Sequence, residues 1–310
     1  MKSLVAPTIV VVLLTSIAHA QDNHSKPTPD AADVKYGDHA RNVFDVWAPK
    51  GEGPFPLVLY IHGGGFRGGD KRTLSPVRLK QFLEARWAVA AINYRFTDSA
   101  PAPAQYLDCA RALQTLRYRA KDWNINPAIV ASTGISAGAG TSMWLAFHDD
   151  LADTKSDDPV ARQSTRLTCV AVDDGQCSYD PRFAEKIGIP RPNFDRHDFF
   201  LPFYGIKADE IDTPKAYERY EKAAPITYLT KDDPPASLSY SYANEPVDGA
   251  SNLPLVVHHP KLGLALKERM DALGIECTVQ FKGQTGQTLV APVDFIRKQF
   301  EKAQNTPPVN

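Results

Sequence analysis

The chain has 310 residues, 43% of them hydrophobic and 23% charged, a globular balance that excludes disordered and fibrous classes. That length suffices for one large α/β domain or two small ones. A formal net charge of −1 gives no basic footprint for a phosphate backbone and no acidic tail, so nucleic acid is not the expected partner.

Lys2, an apolar run from Leu4 to Ile17 and Ala18-His19-Ala20 have the layout of a secretory signal peptide over residues 1–20, with Gln21 first in the mature chain. The run falls short of the roughly 20 residues that span a bilayer, so a secreted or periplasmic protein is expected, with no membrane span after cleavage. An uncleaved anchor is the rival. Residues 21–33 are polar and carry Pro27 and Pro29, which predicts a flexible segment outside a folded domain over 34–303.

Partial alternation from Asn42 to Trp47 suits a half-exposed strand near a sheet edge. Continuous apolar runs at Leu57–Ile61, Ala88–Asn93, Ala128–Thr133 and Leu167–Val172 suit buried parallel strands. Helical spacing lies between them, at Pro76–Arg86 and where Tyr106, Cys109, Ala110 and Leu113 follow i, i+3, i+4, i+7. The alternation resumes with a strand at Ala236–Tyr242, a helix at Leu262–Leu273 stopped by Gly274, a strand at Cys277–Lys282 and a helix at Val290–Phe300. The fold class is therefore α/β, a mostly parallel sheet with helices on both faces.

Residues 178–228 interrupt this rhythm and are crowded with aromatic side chains. They read as a cap-like insertion over the carboxyl edge of the sheet, or as a helical excursion that completes the core. Cys109, Cys169, Cys177 and Cys277 allow three full disulfide pairings, and no spacing among them suits zinc or redox chemistry. For Cys109 and Cys169, in apolar-periodic segments, a buried free thiol is the simpler account.

Two motifs carry chemistry. Gly134-Ile135-Ser136-Ala137-Gly138 follows an apolar strand and precedes a helical run, the context in which a sharp turn presents a serine hydroxyl at a helix amino terminus. His62-Gly63-Gly64-Gly65-Phe66 also follows a strand. Its glycines let backbone N–H groups approach the oxyanion of an acyl-transfer intermediate, each such donor stabilising it by about 3 kcal/mol. A tight turn or a phosphate nest would need similar glycines, but the lysine and Ser/Thr of a P-loop are missing.

These motifs, with Gly68-Gly69-Asp70-Lys71, Asn93-Tyr94-Arg95, Asp108 with Ala112 and Leu116-Arg117 between them, resemble the esterase/lipase branch of the α/β-hydrolases, which contains hormone-sensitive-lipase-like and feruloyl-esterase-like enzymes. The resemblance covers about residues 34–300 and is strongest in the first half. It implies Ser136 as nucleophile, the N–H groups of Gly64, Gly65 and Ala137 as oxyanion hole, and His62 as a loop-ordering residue.

In that family an acid follows the seventh strand and the histidine follows the eighth. Here Glu245 stands in the acid's place, and Gln287 stands about where the histidine belongs; no histidine follows His259. Glutamine cannot accept the serine's proton. His258 and His259, on what reads as a long loop from Glu245 to Pro260, are the replacements within reach, while His148 and His197 read as structural. Asp173 and Asp174, after the sixth strand, are alternative acids or simply a solvated turn.

The expectation is an exported carboxylic ester hydrolase using Ser136, His259 or His258, and Glu245, with no cofactor or metal implied. A small-molecule or carbohydrate-linked ester would be its substrate. The rivals are a non-catalytic binding protein on the same scaffold and a peptidase of the same fold.

Overall fold

Strands form at β1 (Ala31–Lys35), β2 (Val43–Trp47), β3 (Phe55–Ile61), β4 (Ala88–Ile92), β5 (Ile125–Ile135), β6 (Cys169–Asp173), β7 (Ala236–Tyr240) and β8 (Cys277–Phe281). They hydrogen-bond into one sheet in the order β1-β2-β4-β3-β5-β6-β7-β8 in a computed structural model that describes residues 26–191, 199–285 and 290–305. From β4 to β8 all neighbours are parallel, and β1 and β2 run antiparallel at one edge. The leader expected at 1–20, His197 and Gln287 lie outside the described residues.

Side chains alternate across β3 with the two-residue period of a strand. Leu57, Leu59 and Ile61 enter the larger core, whereas Val58 and Tyr60 enter the smaller one on the opposite face. Helices α1 (Pro76–Glu84) and α10 (Pro292–Asn305) close the smaller core with Leu79, Phe82, Phe295, Ile296 and Phe300. Helices α2 (Ala104–Tyr118), α3 (Ala137–Phe147) and α9 (Lys261–Ala272) cover the other face. None of the described helices is long and apolar enough to cross a membrane.

The amino-terminal expectation needs correction. β1 is an edge strand whose first three residues, Ala31–Asp33, belong to the segment expected to be flexible, and it leaves β2 largely buried as the second strand. The segment before β1 is tied down as well: the Trp47 indole N–H donates to the Pro27 carbonyl at 2.8 Å, and Ala48 N–H donates to Asp30 Oδ2 at 2.9 Å. Buried Lys71 completes the anchorage, pairing with Asp45 at 2.7 Å and Asp33 at 3.0 Å. A polar segment with two prolines reads as loose, but its backbone acceptors and carboxylates find fixed donors on the sheet.

Between β6 and β7 lie α4 (Pro181–Lys186), α5 (Phe200–Tyr204), α6 (Pro214–Ala223) and α7 (Pro225–Tyr228). Phe200, Phe203, Tyr204 and Tyr220 are buried in the larger core, and the Phe203 ring stacks on Phe66 at 4.5 Å between centroids. This excursion thus completes the core. It also overhangs the site, because a Cβ on Gly65 would lie 2.5 Å from the Phe199 ring. All four cysteines are buried free thiols.

Candidate active site

Ser136 sits where β5 turns into α3, with φ 54° and ψ −121°, a backbone conformation that non-glycine residues rarely adopt. The neighbouring glycines are required by the sheet as well as by the turn. A Cβ on Gly138 would lie 2.0 Å from the Ile61 carbonyl oxygen, and one on Gly134 would lie 2.5 Å from that same atom. The end of β3 thereby packs directly on the turn, and the half-buried Ser136 hydroxyl rises beside it.

The glycine loop leaves β3 alongside this serine: a Cβ on Gly63 would lie 3.5 Å from the Ser136 Cβ. Its carbonyls are turned inward. The His62 ring donates from Nδ1 to the Gly63 oxygen at 2.7 Å, and the Gly64 oxygen accepts from Arg67 and Gly68 N–H, both at 3.1 Å. In a trans peptide the N–H points opposite to the C=O, so the N–H groups of Gly64 and Gly65 face away from the turn's interior. Ala137, the first residue of α3, contributes an N–H with no acceptor in its own helix.

His62 is fully buried, stacked on Tyr94 at 4.4 Å, and accepts from the Arg41 guanidinium at 3.2 Å through Nε2. Burial pushes its pKa down to about 4, and the nearby Arg41 charge acts in the same direction. It is thus a neutral ring that fixes the loop.

His258 Nε2 lies 2.9 Å from Ser136 Oγ. The side chain arrives from α8 (Leu253–Val257), a short helix in the stretch expected to be a loop, and His258 is its C-terminal cap. The signal was present in the sequence: Asn252 caps the helix, its side chain accepting from Leu255 N–H at 3.0 Å, and Pro254 occupies the first turn. Burial lowers the His258 pKa, while the charge of Asp174 and the Pro254 carbonyl oppose that shift. Tyr242 lies nearly parallel to the imidazole, 6.2 Å away.

The adjacent histidine is spoken for. His259 is fully buried, donates from Nε2 to the Glu245 carbonyl at 2.7 Å, and accepts at Nδ1 from Lys261 N–H at 3.2 Å. Both ring nitrogens close the loop, which corrects its standing as a possible base. The expectation for Glu245 is also corrected. Its side chain is exposed, and the contact it makes to a histidine runs through its backbone, to the wrong ring.

Of the two alternative acids, Asp173 pairs with Arg78 at 2.5 Å. Asp174 is buried, with its carboxylate held by Ser241: N–H to Oδ1 at 2.8 Å, and the hydroxyl at 3.0 and 2.8 Å to the two oxygens. Asp174 is the carboxylate whose charge bears on His258. His148, as expected, is structural, its ring 4.1 Å from Trp144 and 4.4 Å from Tyr228. Sequence reasoning missed Ser241 and Tyr242, which carry no motif.

The model of the BD-FAE family matches residues 44–177. The chain is 24% identical over 232 residues to the esterase LipQ of Mycobacterium tuberculosis, covering 72% of this chain and 51% of that protein. It is 29% identical over 158 residues to the carboxylesterase NlhH of the same species, covering 51% and 47%. The chain therefore spans about half the length of these relatives. A truncated carbohydrate esterase from gut microbiota superposes with a TM-score of 0.67 at 18% identity, over 90% of this chain and 98% of that one, a likeness of fold.

Proposed function

We propose that the chain is a member of the esterase/lipase branch of the α/β-hydrolases, a carboxylic ester hydrolase working through an acyl-enzyme on Ser136. The observation that supports this reading most directly is the 2.9 Å contact between Ser136 Oγ and His258 Nε2 at the end of a positive-φ turn. His258 takes the serine proton as Oγ attacks the ester carbonyl. The amides of Gly64, Gly65 and Ala137 hold the oxyanion, and Asp174 stabilises the imidazolium. Collapse expels the alcohol, which receives the proton from His258. A water molecule repeats the sequence on the acyl group and restores the serine.

A non-catalytic scaffold would leave the serine without a base, and the 2.9 Å contact with His258 favours catalysis over that reading. A fluorophosphonate probe tests the reading: labelling is expected in the native chain, lost in Ser136→Ala, strongly slowed in His258→Ala and largely kept in His259→Ala. A folded chain that never labels, or a His258→Ala variant that labels at the native rate, overturns it. Ester in preference to amide cleavage is read from p-nitrophenyl esters against aminoacyl anilides. The substrate class proposed is a small-molecule or carbohydrate-linked ester, consistent with the half-buried Phe199 ring beside Gly65. Export is part of the proposal, and a secreted chain whose first residue is Gln21 is its expected result.

A further inference from the structure

We infer that Gln176 is a positioning residue that holds the acid-bearing turn and the base-bearing helix of this site in register, an inference that rests on the assignment of His258 and Asp174 above. Gln176 is 1% exposed and lies two residues beyond Asp174. Its side-chain amide donates to the backbone carbonyl of Asp174 at 2.9 Å and to that of Val257, the residue before His258, at 2.7 Å. Two carbonyls facing one group require the NH2 end there, so the orientation of the amide is determined by its partners. Its oxygen accepts from the Tyr179 hydroxyl at 2.8 Å. One carboxamide thereby engages three groups and bridges the two segments that carry the proton-handling side chains.

The Cys177 thiol also donates to the Leu262 carbonyl at 3.1 Å, just beyond the base-bearing segment, and the acid-bearing turn itself is held to β7. Asp174 holds a positive φ of 51°, a strained position for a non-glycine residue, and its N–H donates to the Ser239 carbonyl at 2.7 Å. The next carbonyl, of Gly175, accepts from the Tyr240 hydroxyl at 2.7 Å. These bonds tie the turn to β7. The bond from Gln176 to Val257 ties it to α8. The groups facing His258 are Ser136 from the β5–α3 turn, Asp174 from the β6 turn, Tyr242 from the end of β7 and the Pro254 carbonyl from α8. Of these Asp174 alone is a carboxylate, and it favours the imidazolium together with the Pro254 carbonyl, so a small separation of the two segments weakens the larger of the two interactions.

Gln176→Met keeps the shape and removes both donors. The expected result is a kcat lower by on the order of 10- to 100-fold, KM within a factor of about two, and an acidic limb of the kcat/KM profile moved to lower pH. A merely structural glutamine would lower Tm and leave kcat and that limb unchanged, and this outcome in folded protein overturns the inference. Should Gln176→Met not fold, Tyr179→Phe, which releases the amide oxygen alone, is decisive: a severalfold loss of kcat with the same downward drift supports positioning, and native kinetics refute it. His258→Ala run alongside separates the two ideas. If it retains activity the assignment of the base fails, whereas its inactivity beside a native-like Gln176→Met defeats the positioning role alone.

Discussion

The two halves of the molecule build the site by different means. From β3 to α3 the chain supplies backbone: a strained serine, amides in a glycine loop, and a helix start, each fixed by how closely β3 packs on the turn. From β6 to α9 it supplies side chains: Asp174 on a turn, His258 at the end of a short helix, and the Gln176 amide that links the two segments. Backbone devices constrain which residues are allowed and leave a local pattern. A side chain that must reach a point in space can be delivered from several loops, so its origin can shift while the chemistry stays.

The sharpest way to break this comparison is at the acid. Asp174→Asn removes the charge that favours the imidazolium, and kcat should fall on the order of 100- to 10,000-fold with little change in KM. Glu245→Gln, at the position that family spacing favours, should leave kcat near native and stability within about 0.5 kcal/mol. Steady-state kinetics on the two variants decide it. The reverse result would restore the acid to the loop after β7.

The backbone half should fail differently. In Gly138→Ala the new methyl meets the Ile61 and His62 carbonyl oxygens, which belong to a central strand and its exit and cannot move aside. We expect a loss of about 3 kcal/mol in urea unfolding, with activity lost through displacement of the elbow. A stable and active Gly138→Ala would mean that the turn is far more compliant than its packing implies.

This contrast also explains what the sequence made legible. The strands from β3 to β8 and the two glycine motifs were readable because apolar runs and obligatory glycines are local. The edge strand β1 was not, since Ala31–Lys35 offers the core only Ala31 and Val34 and is recruited by pairing with β2 and by Lys71. The base was narrowed to two neighbours, and nothing local separates them. His259 faces inward to Glu245 O and Lys261 N–H, and His258 faces the serine, because α8 ends between them at a particular rotation. The family match stops at residue 177, just past Asp174 and before α8. The half of the site made of side chains is where spacing by analogy points to Glu245, whose side chain is exposed.

A smaller effect sharpens the comparison through pH. The unfolded chain should protonate His62 near the ordinary value of 6.5, and the folded chain only near 4, because burial disfavours the charged ring. Above pH 6.5 the ring is neutral in both states and its contribution is complete. As pH falls towards 4 the unfolded state gains a proton first, and stability declines by at most about 3 kcal/mol. The difference in unfolding free energy between the native chain and His62→Asn, followed from pH 7 to 4, isolates this contribution. A difference that does not change with pH would show that the glycine loop does not depend on a neutral imidazole.

The smallest expected effect lies at the junction of the two means, where a backbone device carries a side chain. Asn252 caps α8, and Asn252→Ala should cost about 1 kcal/mol of stability, read as a lowered Tm. That energy also sets a ceiling on what the cap can contribute to holding His258. If all of it went into positioning, the rate would fall by about fivefold. The bonds from Gln176 to Val257 and from His259 to Glu245 grip the same segment independently, so the loss in kcat should be smaller still. A larger kinetic loss with the same Tm shift would mean that α8, and not the tertiary bonds around it, sets the place of the base.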